Sequence, residues 1–507
     1  MSKKSFVNNN NDTLERESFR SILEPLIVLF NKAVNQVLPG QEYVLEYSIP
    51  GGIYGYFKNF TPTDKQINDI KENIKELIID RTPIQHELLS RKDVISYFQK
   101  LGRNDIIDLL NSKPRDENIN SGLRILNVNG SGELFLNDVK ENYDKLRDFK
   151  LFKFNKGFFL IADTDFFNRV MPKRLELSKY LKRFNESENT MQHFGITSIA
   201  QLNNIIRKGE LSEFIKVSEA YQAKIISRIA DNIIGHPLKP RVIFIAGPTS
   251  SGKTTTANRL AVELKVLKKK ALLLSLDSFY LPHSEIPVDP QTGLQNFELI
   301  TALDLQLFKN TIKALLNYEA VHLPKYYFDG KGAKPASTPT QIDDETYVIV
   351  EGIHGLNPQL WHDVMDVESY RLYISALTTI NIHDHLPMST SDHRLIRRVV
   401  RDHLFRGYDF NETIKRWPDV MQNEYQSIFP FQESAHAIFN SALIYEIAVF
   451  AHYAPSKLNV EKAKSEYIAE QVEKIKRLLS LFIPVAPTDI PFTSILREFI
   501  GGSSFKY

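Results

Sequence analysis

The 507-residue chain contains no cysteine. That excludes a disulfide framework, a thiolate metal centre and a cysteine nucleophile, and it is compatible with a reducing compartment. Net charge is nearly missing too: 63 Lys and Arg against 61 Asp and Glu leave 63 − 61 = +2. Such balance argues against a nucleic-acid coat or a polybasic membrane binder, although a local basic patch can hide in it. Long apolar runs are also lacking. The best, Leu23–Phe30 and Ala271–Leu276, fall far short of the roughly 18–20 residues that span a bilayer. The opening MSKKSFVNNNND has charge with no apolar stretch behind it, so it does not read as a secretory signal. No solenoid-period repeat is found. The expectation is a cytoplasmic protein without membrane partners and without a nucleic-acid partner. Its oligomeric state stays open, a homo-oligomer included. What is present is ordinary for a globular protein: 42% hydrophobic and 24% charged residues, which excludes wholesale disorder. The length suggests two or three domains at roughly 100–200 residues each.

Residues 1–13, with Asn8 to Asn11 in a row, read as a flexible arm. Ile22, Leu26, Phe30, Ala33 and Val37 then recur at helical spacing. Val44–Phe57 reads as two strands around Pro50-Gly51-Gly52. Helical patterns follow at Asp64–Ile79 and Arg91–Leu110, then hairpins at Leu123–Asn137 and at Leu151–Ala162, the latter turning at Asn155-Lys156-Gly157. Residues 14–195 are therefore expected to be α+β, and 196–237 a helical connector ended by Gly235-His236-Pro237. After that, Arg241–Gly247, Lys269–Asp277 and Thr346–Gly352 are unbroken apolar strands between helical stretches. That alternation predicts an α/β domain with a buried parallel sheet over 238–455. Residues 456–507 read as a helical tail packed on it.

The strongest motif is Gly247-Pro248-Thr249-Ser250-Ser251-Gly252-Lys253-Thr254, which fits G-x-x-x-x-G-K-[ST]. It follows a predicted strand and opens a predicted helix. The glycines let successive amides turn toward one anion, and the helix N-terminus adds favourable partial charge. Lys253 can reach the β- and γ-phosphates of ATP, and the Thr254 hydroxyl can bind Mg²⁺.

Two carboxylates end the next strands: Asp277 in Asp277-Ser278-Phe279-Tyr280 and Glu351 in Glu351-Gly352-Ile353. Strand C-termini in open α/β sheets face the ligand crevice. One carboxylate can take a proton from an attacking hydroxyl, and the other can serve the metal. Further on, Arg394, Arg397, Arg398 and Arg401 fall at i, i+3, i+4 and i+7, one basic stripe if helical. A mobile arginine stripe suits a phosphoryl-transfer lid. A solvated basic face is the plainer alternative.

Gly247–Thr255, LDSFY, PKYYF, IVEGIHGLN and DHRLIRRVVRD occur in that order. Together they resemble the uridine kinase/phosphoribulokinase family, in its long nucleoside-kinase form with an extra N-terminal domain. The resemblance covers about residues 238–445. It implies a P-loop kinase fold and transfer of the ATP γ-phosphate, with Mg²⁺, to a hydroxyl of a ribosyl substrate. By motif position it implies that Asp277 is the general base, and it matches Tyr280 to the tyrosine beside that base. It places Glu298 on the ribose hydroxyls, Tyr326 on the base and Lys331 where a base-contacting histidine would stand. Arg394, Arg397, Arg398 and Arg401 match its lid arginines. Departures fall on the substrate side: Glu298 replaces Asp, Leu299-Ile300 replaces His-Pro, and Tyr327 replaces Asp. Those changes weaken uridine as the specific acceptor, and Tyr326 and Phe328 can equally be core aromatics.

Gly51–Phe57 and Asp80–Phe98 resemble the editing-type second domain of threonyl-tRNA synthetases. The helix Phe19–Val37 lacks the histidine pair of that domain, and His86 alone remains in the later motif. A structural or substrate-gating role follows better than hydrolysis. His383, Asp384, His385 and His393 allow zinc, but a mobile polar loop leading into the arginines is preferred. Trp417 reads as a packing anchor, and Lys268–Lys270 and Lys474–Arg477 as solvated faces. The function expected is a kinase for a nucleoside 5′-hydroxyl. Alternatives are a kinase for another small hydroxyl compound, such as a sugar phosphate, or an ATP-gated RNA-binding regulator.

Overall fold

A computed structural model describes residues 10–49, 51–113, 122–136, 142–164, 167, 195–288, 295–327, 332–361, 369–378, 380–454 and 458–506. Most of the expected arm lies outside these; a helix already runs over Asn10–Val37. The strands are β1 (Tyr43–Ile49), β2 (Gly52–Phe57), β3 (Gln85–Leu89), β4 (Leu123–Val128), β5 (Ser131–Phe135), β6 (Lys150–Phe154) and β7 (Gly157–Ile161). They continue with β8 (Val242–Ala246), β9 (Lys270–Ser275), β10 (Pro324–Tyr327), β11 (Gly332–Pro335) and β12 (Thr346–Glu351). The last are β13 (Ser369–Ser375), β14 (Asn381–His383), β15 (Leu386–Pro387) and β16 (Ala437–Asn440). Among the described residues no helix is long and apolar enough to cross a membrane.

The chain forms two compact units, each assembled from separated stretches. The first takes residues 1–211, 378–393 and 447–485, and the second takes 212–377, 394–446 and 486–507. The sequence suggests a linear order instead. Residues 456–485, expected on the α/β domain, group with the first unit, and the expected connector at 196–237 divides between a helix Ile199–Lys208 and a helix Leu211–Ile234.

In the first unit, the antiparallel sheet β1-β2-β7-β6 and the sheet β3-β4-β5 carry the hairpins expected. Gly51 takes φ +75°, and a Cβ there would overlap the Asp163 carbonyl oxygen, so the tight turn needs glycine. The helix Asp64–Ile79 starts with a capping box between Thr63 and Gln66, satisfying two end donors at once. It buries Ile67, Ile70, Ile74 and Ile78 in one stripe, and these join Leu26, Phe30 and Phe158 in a common core.

The β14–β15 ribbon in this unit is not the mobile polar loop expected. His383 and His385 are buried. The His385 ring stacks on Tyr43 at 3.8 Å between centroids, and its Nδ1 lies 2.5 Å from Glu133 Oε1. Arg103 donates to the same Glu133 oxygen at 2.7 Å and grips Asp105 with two nitrogens at 2.8 and 2.9 Å. His383 Nε2 donates to the Leu134 carbonyl at 2.8 Å. The imidazoles are thus engaged by protein groups. The reason is burial: charge taken out of water needs a partner. Among the described residues no set of three or more His, Asp or Glu is placed to hold a metal.

Burial alone would raise the Glu133 pKa, but Arg103 and His385 overcome it and hold it at about 2. A carboxyl depressed below its unfolded value stabilises the fold at pH above that value, and loses the contribution as pH falls toward the folded one. Glu133→Gln should therefore cost about 1.5–3 kcal/mol near pH 7, since Arg103 and His385 lose a charged hydrogen-bond partner while Arg103 keeps Asp105. The gap from wild type should shrink as pH falls from about 4.5 toward 2. Urea unfolding at several pH values checks both, and a pH-independent gap would contradict the account.

Candidate active site

The second unit is built on one parallel sheet in the order β16-β13-β8-β12-β9. The apolar segments at β8, β9 and β12 are strands as expected. β8 is central, with β13 on one side and β12 and then β9 on the other, so the strand order reverses beside it. That switch point is where α/β sheets bind ligands, outside the strand C-termini. The phosphate loop leaves β8 there.

The loop depends on close approach. A Cβ on Gly247 would overlap the Ile374 carbonyl oxygen at the C-terminal end of β13, and one on Gly252, at φ +83°, would lie 2.7 Å from Ile495 Cγ2. Ser250 takes φ +60°, so the chain between the glycines is also curled. Gly252 leads into the helix Lys253–Val266. Ser250 and Ser251 are buried, with hydroxyls that no described residue hydrogen-bonds.

Lys253 donates to the Pro248 carbonyl at 3.1 Å. Burial lowers its pKa, and the charges of Glu351, Glu498, Asp277 and Glu424 resist that. Asp277 follows β9 in a short helical turn and keeps solvent contact. Surrounding protein strips part of its hydration and raises its pKa, while Lys253 and Arg406 pull it down. Glu351 ends β12. Burial pushes it up to about 7, the Asp277 charge adds to the rise, and Lys253 and Ser275 moderate it. Glu298 is raised by burial and by Glu424, and lowered by Arg398 and Lys253. Three carboxylates thus converge with one lysine at the mouth of the phosphate loop.

Residues 242–448 match the Phosphoribulokinase / Uridine kinase family. That span is a domain of this family. The uridine kinase of Bacillus pumilus is 29% identical over 184 residues, covering 36% of this chain and 78% of its own. The uridine-cytidine kinase B of Dictyostelium discoideum is 25% identical over 237 residues, covering 46% and 88%. Among solved structures, the YGR205w protein aligns at 20% identity over 37% of this chain and 78% of its own, with a TM-score of 0.26 that carries no argument. The chain is a kinase that transfers phosphate to a hydroxyl. The matched span begins at residue 242 and does not reach the synthetase-like segment.

The kinase domain divides the arginine stripe. The stripe lies on a helix over Thr390–Phe405, and its first two arginines, Arg394 and Arg397, are buried. They are 2% and 0% exposed. Arg394 donates to the Thr249 carbonyl at 3.0 Å and to Glu424, and lies over the Trp417 ring. Arg397 clasps both Glu446 oxygens at 2.8 and 2.9 Å and donates to the Ser250 carbonyl at 3.2 Å. Each guanidinium is held by fixed pairs, as burial of a charge requires. Arg398 and Arg401 keep slight exposure and gather with Arg406 around buried Asp402. Arg398 faces Glu298 electrostatically, and Arg406 faces Asp277.

Tyr280 and Tyr326 meet edge to face at 5.8 Å, and the Tyr280 hydroxyl donates to the Phe297 carbonyl at 2.9 Å. Lys331 and Phe328 lie outside the described residues. Sequence reading missed Glu424, which accepts from the Thr249 amide at 2.8 Å, together with Glu446 and Glu498. It also missed His354, three residues after Glu351 in the chain. Burial pushes His354 down to about 4 against the opposing pull of the Glu298 and Leu299 backbone, so its imidazole is neutral near pH 7. Of the basic runs, Lys474 is partly buried against Asp392.

Removing Arg397 leaves Glu446 buried without its partner, so Arg397→Ala should destabilise the second unit by about 3–5 kcal/mol. Arg401→Ala should cost less, because Asp402 retains Arg398 and Arg406. Urea unfolding of both variants checks the ordering, and equal losses would contradict the division of the stripe.

Proposed function

We propose that this kinase uses ATP and Mg²⁺ to phosphorylate a hydroxyl of a small ribosyl substrate, most simply the 5′-hydroxyl of a nucleoside. The observation that carries the reading is the convergence of Asp277, Glu298 and Glu351 with Lys253 beside the phosphate loop. The names of the uridine kinase relatives support the acceptor class.

In this reading the loop residues Gly247 to Thr255 take the donor phosphates, with Lys253 swinging from the Pro248 carbonyl to the β- and γ-phosphates. Asp277 accepts the proton of the acceptor hydroxyl. Its raised pKa suits that task, since a base works best near the operating pH. Glu298 holds neighbouring hydroxyls, and Tyr280 and Tyr326 form an aromatic wall for the base. Arg398 and Arg401, with Arg406, meet the charge of the transferring group. Thr254 and Glu351 fit Mg²⁺, which takes one or two protein oxygens and fills its remaining positions with phosphate and water. When bound, the metal neutralises phosphate charge.

The altered substrate residues, Glu298, Tyr327 and the replaced His-Pro, support keeping a sugar phosphate as the second acceptor. For the first unit we infer a supporting, non-hydrolytic role. His86 stands exposed on β3, and His383 and His385 are already bound to protein groups.

Asp277→Asn should lower kcat by about 10²–10⁴-fold, the contribution of a positioned general base, with ATP affinity changed little. Arg398→Ala should lower kcat by at least about 100-fold, as removing a donor to developing charge does elsewhere. Both are read from ATP consumption against a panel of nucleosides and sugar phosphates, with products identified by mass. Retained turnover in the Asp277 variant would remove that residue from the role. A phosphorylated sugar would move the acceptor class.

A further inference from the structure

We propose that Glu498 is a built-in competitor for the phosphate donor, occupying the anion site at the start of the phosphate-loop helix until nucleotide displaces it. This rests on the nucleotide reading above.

Thr255 lies in the first turn of the helix Lys253–Val266. Amides there have no partner inside the helix and favour an anion. One carboxylate oxygen of Glu498 accepts from the Thr255 amide at 3.2 Å and from the Thr255 hydroxyl at 2.6 Å. These are the kinds of donor that a phosphate-loop motif turns toward nucleotide phosphates. Carboxylate and phosphate oxygens therefore seek the same two hydrogens. The other loop carboxylate, Glu424, is neutralised directly by Arg394. No described residue makes such an ion pair with Glu498, which shares the field of Lys253 with Glu351.

The segment that carries Glu498 is anchored. Ile495, Leu496 and Phe499 are fully buried. The Arg397 guanidinium lies 4.9 Å from the centre of the Phe499 ring. Arg497 donates to the carbonyls of Pro487 at 2.9 Å and Ile490 at 2.7 Å. Ile495 sits against Gly252. Such anchoring makes the competition intramolecular, so the carboxylate acts at high effective concentration. An incoming phosphate has to take both Thr255 donors and enter a crevice already rich in carboxylates. Donor affinity is thereby held below what the loop alone would give, and any event that lifts residues 494–500 raises it.

The test is equilibrium titration of the full chain with ATP and Mg²⁺, comparing wild type with Glu498→Gln and Glu498→Ala. Both variants should bind about tenfold more tightly, Ala at least as tightly as Gln. Amide hydrogen exchange over 494–500 in the wild type should speed up on adding ATP, a readout that needs no variant. Unchanged or weaker binding in both variants overturns the proposal, and so does exchange that ATP leaves unchanged or slows. If neither wild type nor variants bind ATP, the nucleotide reading itself falls and takes the proposal with it.

Discussion

The clasp between Arg397 and Glu446 is the interaction on which the kinase site depends. Both side chains are completely buried. Taking two charges out of water is costly, and their attraction offsets that only when geometry and further hydrogen bonds are good. Here the guanidinium also reaches the Ser441 hydroxyl at 3.1 Å, the Ser441 carbonyl at 2.9 Å and the Ser250 carbonyl at 3.2 Å. One cation thus ties the far side of the phosphate loop to the end of β16. Arg394 repeats the device one turn earlier through Glu424 and Thr249. The benefit is rigidity: a loop that binds by its amides works only if their directions are fixed beforehand.

With those two cations spent on carboxylates, the crevice itself is short of positive charge. Lys253 faces Glu351, Glu498, Asp277 and Glu424 together. Burial raises the pKa values of Asp277, Glu298 and Glu351; neighbouring carboxylates add to the rise at Glu298 and Glu351, whereas at Asp277 Lys253 and Arg406 oppose it. A polyphosphate entering such a site brings further negative charge, which added cations have to offset. Arg398, Arg401 and Arg406, held around Asp402, keep the exposure that Arg394 and Arg397 have lost. The stripe is one helix with two environments: Arg394 and Arg397 are buried in fixed pairs, and Arg398 and Arg401 keep slight exposure around Asp402.

What could be read from the sequence was local. The phosphate loop, the strand-end carboxylates and the amphipathic helices each declare themselves within about ten residues. The central strands β8 and β12 did so because burial on both faces makes them continuously apolar. β13 was missed because Ser369, Arg371 and Ser375 interrupt its run, and β16 because it has four residues. The partners of the arginines were missed for another reason. Glu424, Glu446 and Glu498 lie 30, 49 and 243 residues from Arg394, Arg397 and Thr255 in the chain. No spacing rule covers such distances. A regular basic stripe looks solvated when the carboxylates that bury half of it lie elsewhere.

The same limit explains the buried histidines. His383 and His385 stand in a polar stretch that reads as loop, yet their partners Arg103, Asp105 and Glu133 come from about 250–280 residues earlier. The first unit therefore cannot complete its polar core until residues 378–393 have been made and placed. It also needs 447–485, which contribute Val485 and the helix Glu466–Ser480. A unit assembled from three stretches does not fold as a bead that precedes the next one, because the long-range contacts that reward its ordering come last. The kinase unit is likewise unfinished until 486–507 arrive, and those residues bring Glu498. Glu498 thus meets Thr255 only once residues 486–507 have joined the kinase unit, a contact between groups 243 residues apart in the chain.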